Sequence, residues 1–293
     1  MDRMILKQLH GKDVFPRGRW KRWRNPGITA LLGILLLLVI LPFFSIILAS
    51  LKGPAELVKG VFALPEKWLW SNYVDAWYGA RFNTYLMNSL TVVGITIPVS
   101  ILFSVLSAYA FGRMEFRYSK ALFFLFLVGI IVPQEGYIIP LYHWMRRIGF
   151  YNTYWAMILP QIGMSVCFGT FWLSGYFRSF PRELVDSAKL DGCNDWSVLW
   201  RVIFPNSFSV ITTLIVLFFV WTWNDFMIPL VLVSSDELRT LPLGLAFFQG
   251  RYSANIPLIA AGATIVTLPS LIIYMLFQRH FIRGITSGAL TGQ

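Results

Sequence analysis

Two carboxylates stand inside otherwise apolar runs of this chain. Asp225 lies in Trp223-Asn224-Asp225-Phe226, and Glu135 lies in Val132-Pro133-Gln134-Glu135-Gly136. Charged groups at membrane depth are costly and mark ion or substrate pathways, so the pair could couple transport to a proton or sodium gradient. Asp225 fits two further roles. It could be a helix-breaking polar turn paired with polar neighbours, or part of the lining of a sugar-sized cavity among aromatic rings. Glu135 follows Pro133 near an expected interface, where solvation is the plain reading. Asn88, Trp223, Asn224 and Asp225 are the candidate substrate-pathway residues, with helix cross-linking the plainer role for Asn88.

Other chemistries find no support. The three histidines, His10, His143 and His280, are scattered, and Cys167 and Cys193 have no ligand spacing, so neither a metal site nor a disulfide framework is expected. No Gly-x-Ser-x-Gly or His-Glu-x-x-His occurs. The one Gly-Lys pair, Gly11-Lys12, precedes Asp13, so the chain carries no P-loop to cradle phosphates. The chain is therefore expected to be no enzyme and to hold no cofactor.

The elements that must position these residues are long apolar helices. Of 293 residues, 56% are hydrophobic and 13% charged, about half the charge of a soluble domain. A spanning helix needs about 20 apolar residues. Six segments qualify: 28–50, 86–111, 121–139, 155–176, 208–233 and 258–277. The first is too long for a signal-peptide core of roughly 7–15 residues. The expected fold is all-α: a polytopic membrane domain over 28–277, a basic tail over 1–27 and a second tail over 278–293. The net charge of +11 does not imply nucleic acid, because eight of the 25 Lys/Arg precede Pro26. The segments on the side of the termini hold seventeen Lys/Arg and the opposite loops hold eight. The positive-inside rule then places both termini and the loop 181–205 in the cytoplasm. The aromatics Trp68, Trp70, Tyr73, Trp77 and Tyr78 of the longest outer loop either lie flat on the membrane or pack against other loops.

The loop 181–205 is polar and has internal order. Pro181 suits a first helical turn, Glu183 favours the helix dipole, and Leu184, Val185 and Ala188 form a small apolar face. Gly192 fits a stop that needs positive φ. Asn194 or Asp195 can cap a second helix with the apolar stripe Trp196, Leu199, Trp200 and Ile203, ended by Pro205. A 25-residue connection with this order is usually functional, and a docked cytoplasmic partner is the natural function.

This stretch resembles the loop that marks permease subunits of bacterial ABC importers: Glu-Ala-Ala, three residues, Gly, nine residues, Ile, one residue, Leu-Pro. The matching positions are Asp186, Ser187, Ala188, Gly192, Val202, Phe204 and Pro205, with every spacing kept. Further segments resemble the carbohydrate-uptake branch, in particular its maltose-permease-like second subunits. They are Asn88-Ser89-Leu90, Ala108-Tyr109-Ala110 with Arg113, Pro140-Leu141-Tyr142 with Gly149 and Asn152-Thr153, Trp223 to Phe226 with Pro229, and Gln278 to Ala289. The resemblance implies a subunit in the bacterial inner membrane that imports an oligosaccharide. Its implied partners are a second permease subunit, two ATP-binding subunits and an extracytoplasmic solute-binding protein.

It also implies that Glu183, Asp186, Ser187, Ala188, Asp191 and Gly192 form the coupling contact with an ATPase subunit. Phe247 to Tyr252 lie in the outer loop between the last two spans, and Phe248, Gln249, Gly250, Arg251 and Tyr252 are the candidate binding-protein contacts. Outer-side Arg81, Arg146, Arg147, Arg239 and Arg251 leave room for an acidic, uronate or alginate-like oligosaccharide. An ion-coupled secondary transporter using Asp225 or Glu135 is the rival expectation.

Overall fold

A computed structural model describes residues 26–248 and 255–290. Among the described residues there is no β-strand. The principal helices are α1 (Pro26–Ser50), α2 (Ser71–Gly79), α3 (Phe82–Arg113), α4 (Ser119–Ile131), α5 (Gln134–Arg147), α6 (Tyr154–Ser179) and α7 (Arg182–Leu190). They continue as α8 (Asp195–Asn206), α9 (Phe208–Asn224), α10 (Met227–Leu232) and α11 (Ile256–Leu290). Four helices are long and apolar enough to cross a membrane, or up to six if each bent pair counts as one span.

Two of the six expected spans are interrupted. The third, read as 121–139, turns by 100° between α4 and α5. Pro133 is the cause. The residue before a proline is pushed out of helical geometry, and Val132 is extended at φ −72°, ψ 116°. Thirteen residues of α4 reach only about 20 Å, short of the roughly 30 Å hydrocarbon core. The fifth, read as 208–233, breaks after Asn224, where Asp225 is extended. The sixth runs unbroken past Phe277, where a tail was expected, to Leu290.

The core is a long seam between α3 and α6, with α9 packed on α11 and α1 resting on α11. Small residues let the first pair approach closely, as in membrane helix packing generally. A Cβ built on Gly169 would lie 2.2 Å from Ser104 Oγ and 2.7 Å from Ser104 Cβ. One turn along, the hydroxyls of Ser107 and Thr170 are hydrogen-bonded. Helix α1 leaves nearly all its side chains exposed, burying only Leu48, Ala49 and Ser50.

The outer-loop aromatics divide between their two expected placements. Tyr73 bonds Ser50 Oγ through its hydroxyl at 2.7 Å, and Trp77 meets Phe82 edge-on. Trp68, Trp70 and Tyr78 are exposed.

Candidate functional sites at the two ends of helix α9

Helix α9 joins two polar sites. At its N-terminal end, α7 and α8 form the helix–turn–helix expected for 181–205. Gly192 sits at φ +85°, a conformation that side chains rarely adopt. Asn194 caps α8, its Oδ1 accepting from Ser197 N at 2.9 Å. The last turn before Phe204 is a π-turn, Leu199–Ile203. Pro205 is the next-to-last residue of α8, so the helix ends within one residue of the expected stop. The chain then bends by 78° at Ser207, whose buried hydroxyl donates to Ile203 O at 2.7 Å.

Of the expected coupling residues, Glu183, Asp186, Ser187, Asp191 and Gly192 are exposed. Ala188 differs. It is buried against the bundle, and its carbonyl accepts from Cys193 N at 3.0 Å. Its small side chain therefore sets how closely α7 packs on its own protein. Leu184 is exposed, so the apolar face of α7 reduces to Val185 and Ala188. In the second stripe Leu199 and Ile203 are buried with Val198, while Trp196 projects outward.

The loop is tied to the end of α3. Tyr109 donates to Asp195 Oδ1 at 3.4 Å, Asp195 pairs with Lys189 at 3.0 Å, and Arg113 donates to Phe180 O.

At the other end of α9, Asp225 gathers four donors. Its Oδ1 accepts from the backbone N–H of Met227 (3.1 Å) and Ile228 (3.3 Å), capping α10, and from Gln134 Nε2 at 3.4 Å. Its Oδ2 accepts from Gln161 Nε2 at 2.9 Å. One carboxylate thus fastens α5, α6, α9 and α10 together. It borders a cavity of about 400 Å³ shared with Gln134, Gln161, Trp221 and Asn224, within the usual range for small-molecule sites. The polar-turn and cavity-lining readings of Asp225 both describe this position. Glu135 is exposed in the first turn of α5.

The other pathway candidates separate. Asn224 lines the cavity and donates to Val220 O and Ser270 Oγ. Trp223 does not: it is 1% exposed, donates to Val266 O at 2.9 Å and stacks on Phe219. The aromatic ring that faces the cavity is Trp221, which the sequence reading missed. Two helical positions apart means nearly opposite faces, and an all-apolar helix gives no periodic signal to choose between them. Asn88 is a cross-link, 4% exposed, donating to Glu237 O (2.7 Å) and Arg239 O (2.8 Å) and accepting from Tyr154 (2.6 Å).

In the outer loop, Phe248 turns inward, 7% exposed and edge-on to Phe82, because burying the ring removes apolar area from water. It is not a surface contact. Gln249, Gly250, Arg251 and Tyr252 lie outside the described residues, as does 1–25 of the basic tail. Arg81 and Arg239 both pair with Asp236, at 3.3 and 3.1 Å, and Arg146 lies over the rings of Tyr142 and Tyr151.

Residues 74–287 match the family model described as binding-protein-dependent transport system inner membrane component. The sulfoquinovosyl glycerol transport system permease protein SmoH of Agrobacterium fabrum is 33% identical over 88% of this chain and 91% of its own. The trehalose transport system permease protein SugB of Mycobacterium tuberculosis is 32% identical over 86% of this chain and 93% of its own. In the solved structures, a bacterial ABC transporter involved in the import of the acidic polysaccharide alginate contains a chain of the same fold. Its TM-score is 0.74 at 21% identity, covering 91% of this chain and 99% of that one. The coupling-type loop, the apolar helices and these matches lead to one assignment: the chain belongs to the binding-protein-dependent transport system inner membrane component family, as a membrane-embedded ABC transporter permease subunit that is not itself an enzyme.

Proposed function

We propose that this subunit carries a saccharide across a bacterial inner membrane in an ATP-driven importer. A binding protein delivers the sugar from outside, and a second permease subunit completes the pathway. Two ATP-binding subunits supply ATP and Mg, and both termini and the 181–205 loop face the cytoplasm. The observation that supports this best is the loop itself. Glu183, Asp186 and Asp191 are exposed together on a short helix and its turn, and the helix–turn–helix that carries them is tied to both α3 and α9. Exposed carboxylates can pair with basic groups across an interface. When ATP closes the ATPase subunits, the loops move inward with them, and α3 and α9 follow. The cavity then opens outward for the sugar, and hydrolysis resets it.

Relatives named for sulfoquinovosyl glycerol and trehalose transport support a saccharide as cargo. The acidic reading drew on the outer arginines, but Arg81, Arg239 and Arg146 are engaged by protein partners. The ion-coupled reading needs Asp225 to release and rebind an ion, whereas its carboxylate is already fixed by four donors. The test is reconstitution with all partner subunits in proteoliposomes, with Asp186→Cys as a cross-linking probe. Nucleotide-dependent cross-linking to the ATPase subunit and uptake that requires ATP are the expected results. Uptake driven by an ion gradient without ATPase subunits would sink the proposal.

A further inference from the structure

The cavity beside Asp225 has an unusual balance of hydrogen-bonding groups. The amide nitrogens of Gln134, Gln161 and Asn224 each donate to a protein acceptor. An ionised carboxylate can only accept, so the bond to Asp225 must come from the Gln161 amide N–H and fixes which way that amide points. Its Oε1 is then left buried, with no hydrogen-bond partner, on a residue only 6% exposed. Asp225 Oδ2 carries one recorded donor and has capacity for another. Gln161 and Asp225 both line the cavity, and each keeps acceptor capacity that no protein donor fills. Trp221 supplies a half-exposed indole beside them. Among the described residues, no Lys, Arg or His lines this cavity.

That set discriminates by charge. Sugar hydroxyls are donors and suit a wall with unfilled acceptor capacity, and a sugar ring suits an indole face. A carboxylated sugar brings further acceptors and a negative charge to a wall that offers acceptors, a negative charge and no cation. Like charges brought together away from water repel strongly.

We propose that this cavity is a saccharide subsite that selects uncharged sugars, with Asp225 and Gln161 accepting from hydroxyls and Trp221 covering a ring face. The proposal rests on the importer reading above and adds the substrate class.

The test uses the complete reconstituted importer. Saturating binding protein is combined with a panel of neutral and uronate oligosaccharides of matched length, and saccharide-stimulated ATP hydrolysis is measured. Only neutral members are expected to stimulate. Asp225→Asn keeps an oxygen for the α10 cap but loses the charge. It should lower maximal stimulation about tenfold, the scale of one hydrogen bond to a charged group. The saccharide concentration giving half-stimulation should not move, because the binding protein sets it. Gln134→Lys places a cation in the cavity and should narrow the gap between neutral and uronate sugars.

Assembly of each variant with its partner subunits, followed by size exclusion, separates misfolding from lost recognition. If Asp225→Asn fails to assemble, Gln161→Met carries the measurement with the same expected loss. Stimulation by a uronate in the parent protein would overturn the selectivity. Assembled variants with unchanged stimulation would overturn the subsite. Absence of stimulation by every saccharide would instead strike at the importer reading itself.

Discussion

The two ends of α9 carry carboxylates under opposite regimes. At the coupling end, Glu183, Asp186 and Asp191 are exposed, and the fold fixes only the backbone beneath them, through Gly192 at φ +85° and the Asn194 cap. At the cavity end, Asp225 is enclosed by four donors from three directions. The first arrangement leaves charge available to another protein. The second fixes charge where a small ligand would meet it. The difference shows that residue type alone does not assign a role to a carboxylate here. The assignment comes from how far neighbouring groups already engage and orient it.

Four experiments would break or sharpen that contrast. The largest effect is expected from Gly169→Leu. The new side chain collides with Ser104 on α3, and overpacking of this kind costs about 3 kcal/mol. Both ends should fail together, seen as loss of the assembled complex on size exclusion. Gly192→Val should strike one end only. A β-branched residue at positive φ costs on the order of 1–3 kcal/mol, so the turn shifts while the cavity stays intact. Uptake in proteoliposomes should fall about tenfold with the permease still assembled, and unchanged uptake would remove Gly192 from the coupling role.

Salt should separate the ends next. Raising ionic strength from 0.1 to 1 M shortens screening from about 10 to about 3 Å. Titration of ATPase subunits onto the solubilised permease should weaken by about threefold or more if exposed carboxylates make the contact. A salt-independent affinity would point to apolar docking through Trp196 instead. Tyr109→Phe should have the smallest effect, because it deletes one long bond to the half-exposed Asp195. Uptake should change by less than about twofold, with thermal stability lowered by at most about 1 kcal/mol.

The coupling end was largely legible in the sequence, since its signals are local. A glycine at a turn, an asparagine cap and a proline at fixed spacing each act through the backbone within a few residues. The inward placement of Ala188 was not legible, because which side of α7 meets the bundle is decided by tertiary packing and not by its neighbours in sequence. The cavity end was legible only as a suspicion about Asp225. Its partners Gln134 and Gln161 come from other helices, and Trp221 and Trp223 are indistinguishable in an unbroken apolar run. The span boundaries failed for a related reason. Hydropathy summed over 121–139 or 208–233 is blind to a backbone break at Pro133 or Asp225, since a break changes direction without changing apolar content. Asn88 was read correctly as a plausible cross-link, but its partners, the carbonyls of residues 237 and 239, lie too far along the chain for spacing to suggest them.

The bend at Ser207 has a geometric consequence. Helix α9 is a rod of seventeen residues, about 26 Å long, with the Ser207 bend at one end and Asp225 just past the other. Tilting such a rod by about 10° at Ser207 carries the tip through about 4 to 5 Å, a lever arithmetic that follows from helix rise alone. Hydrogen bonds tolerate only a few tenths of an ångström before they weaken. Under the coupling and the subsite proposed above, a modest tug on the loop would be amplified into a stroke larger than a hydrogen bond between Asp225 and a sugar hydroxyl tolerates.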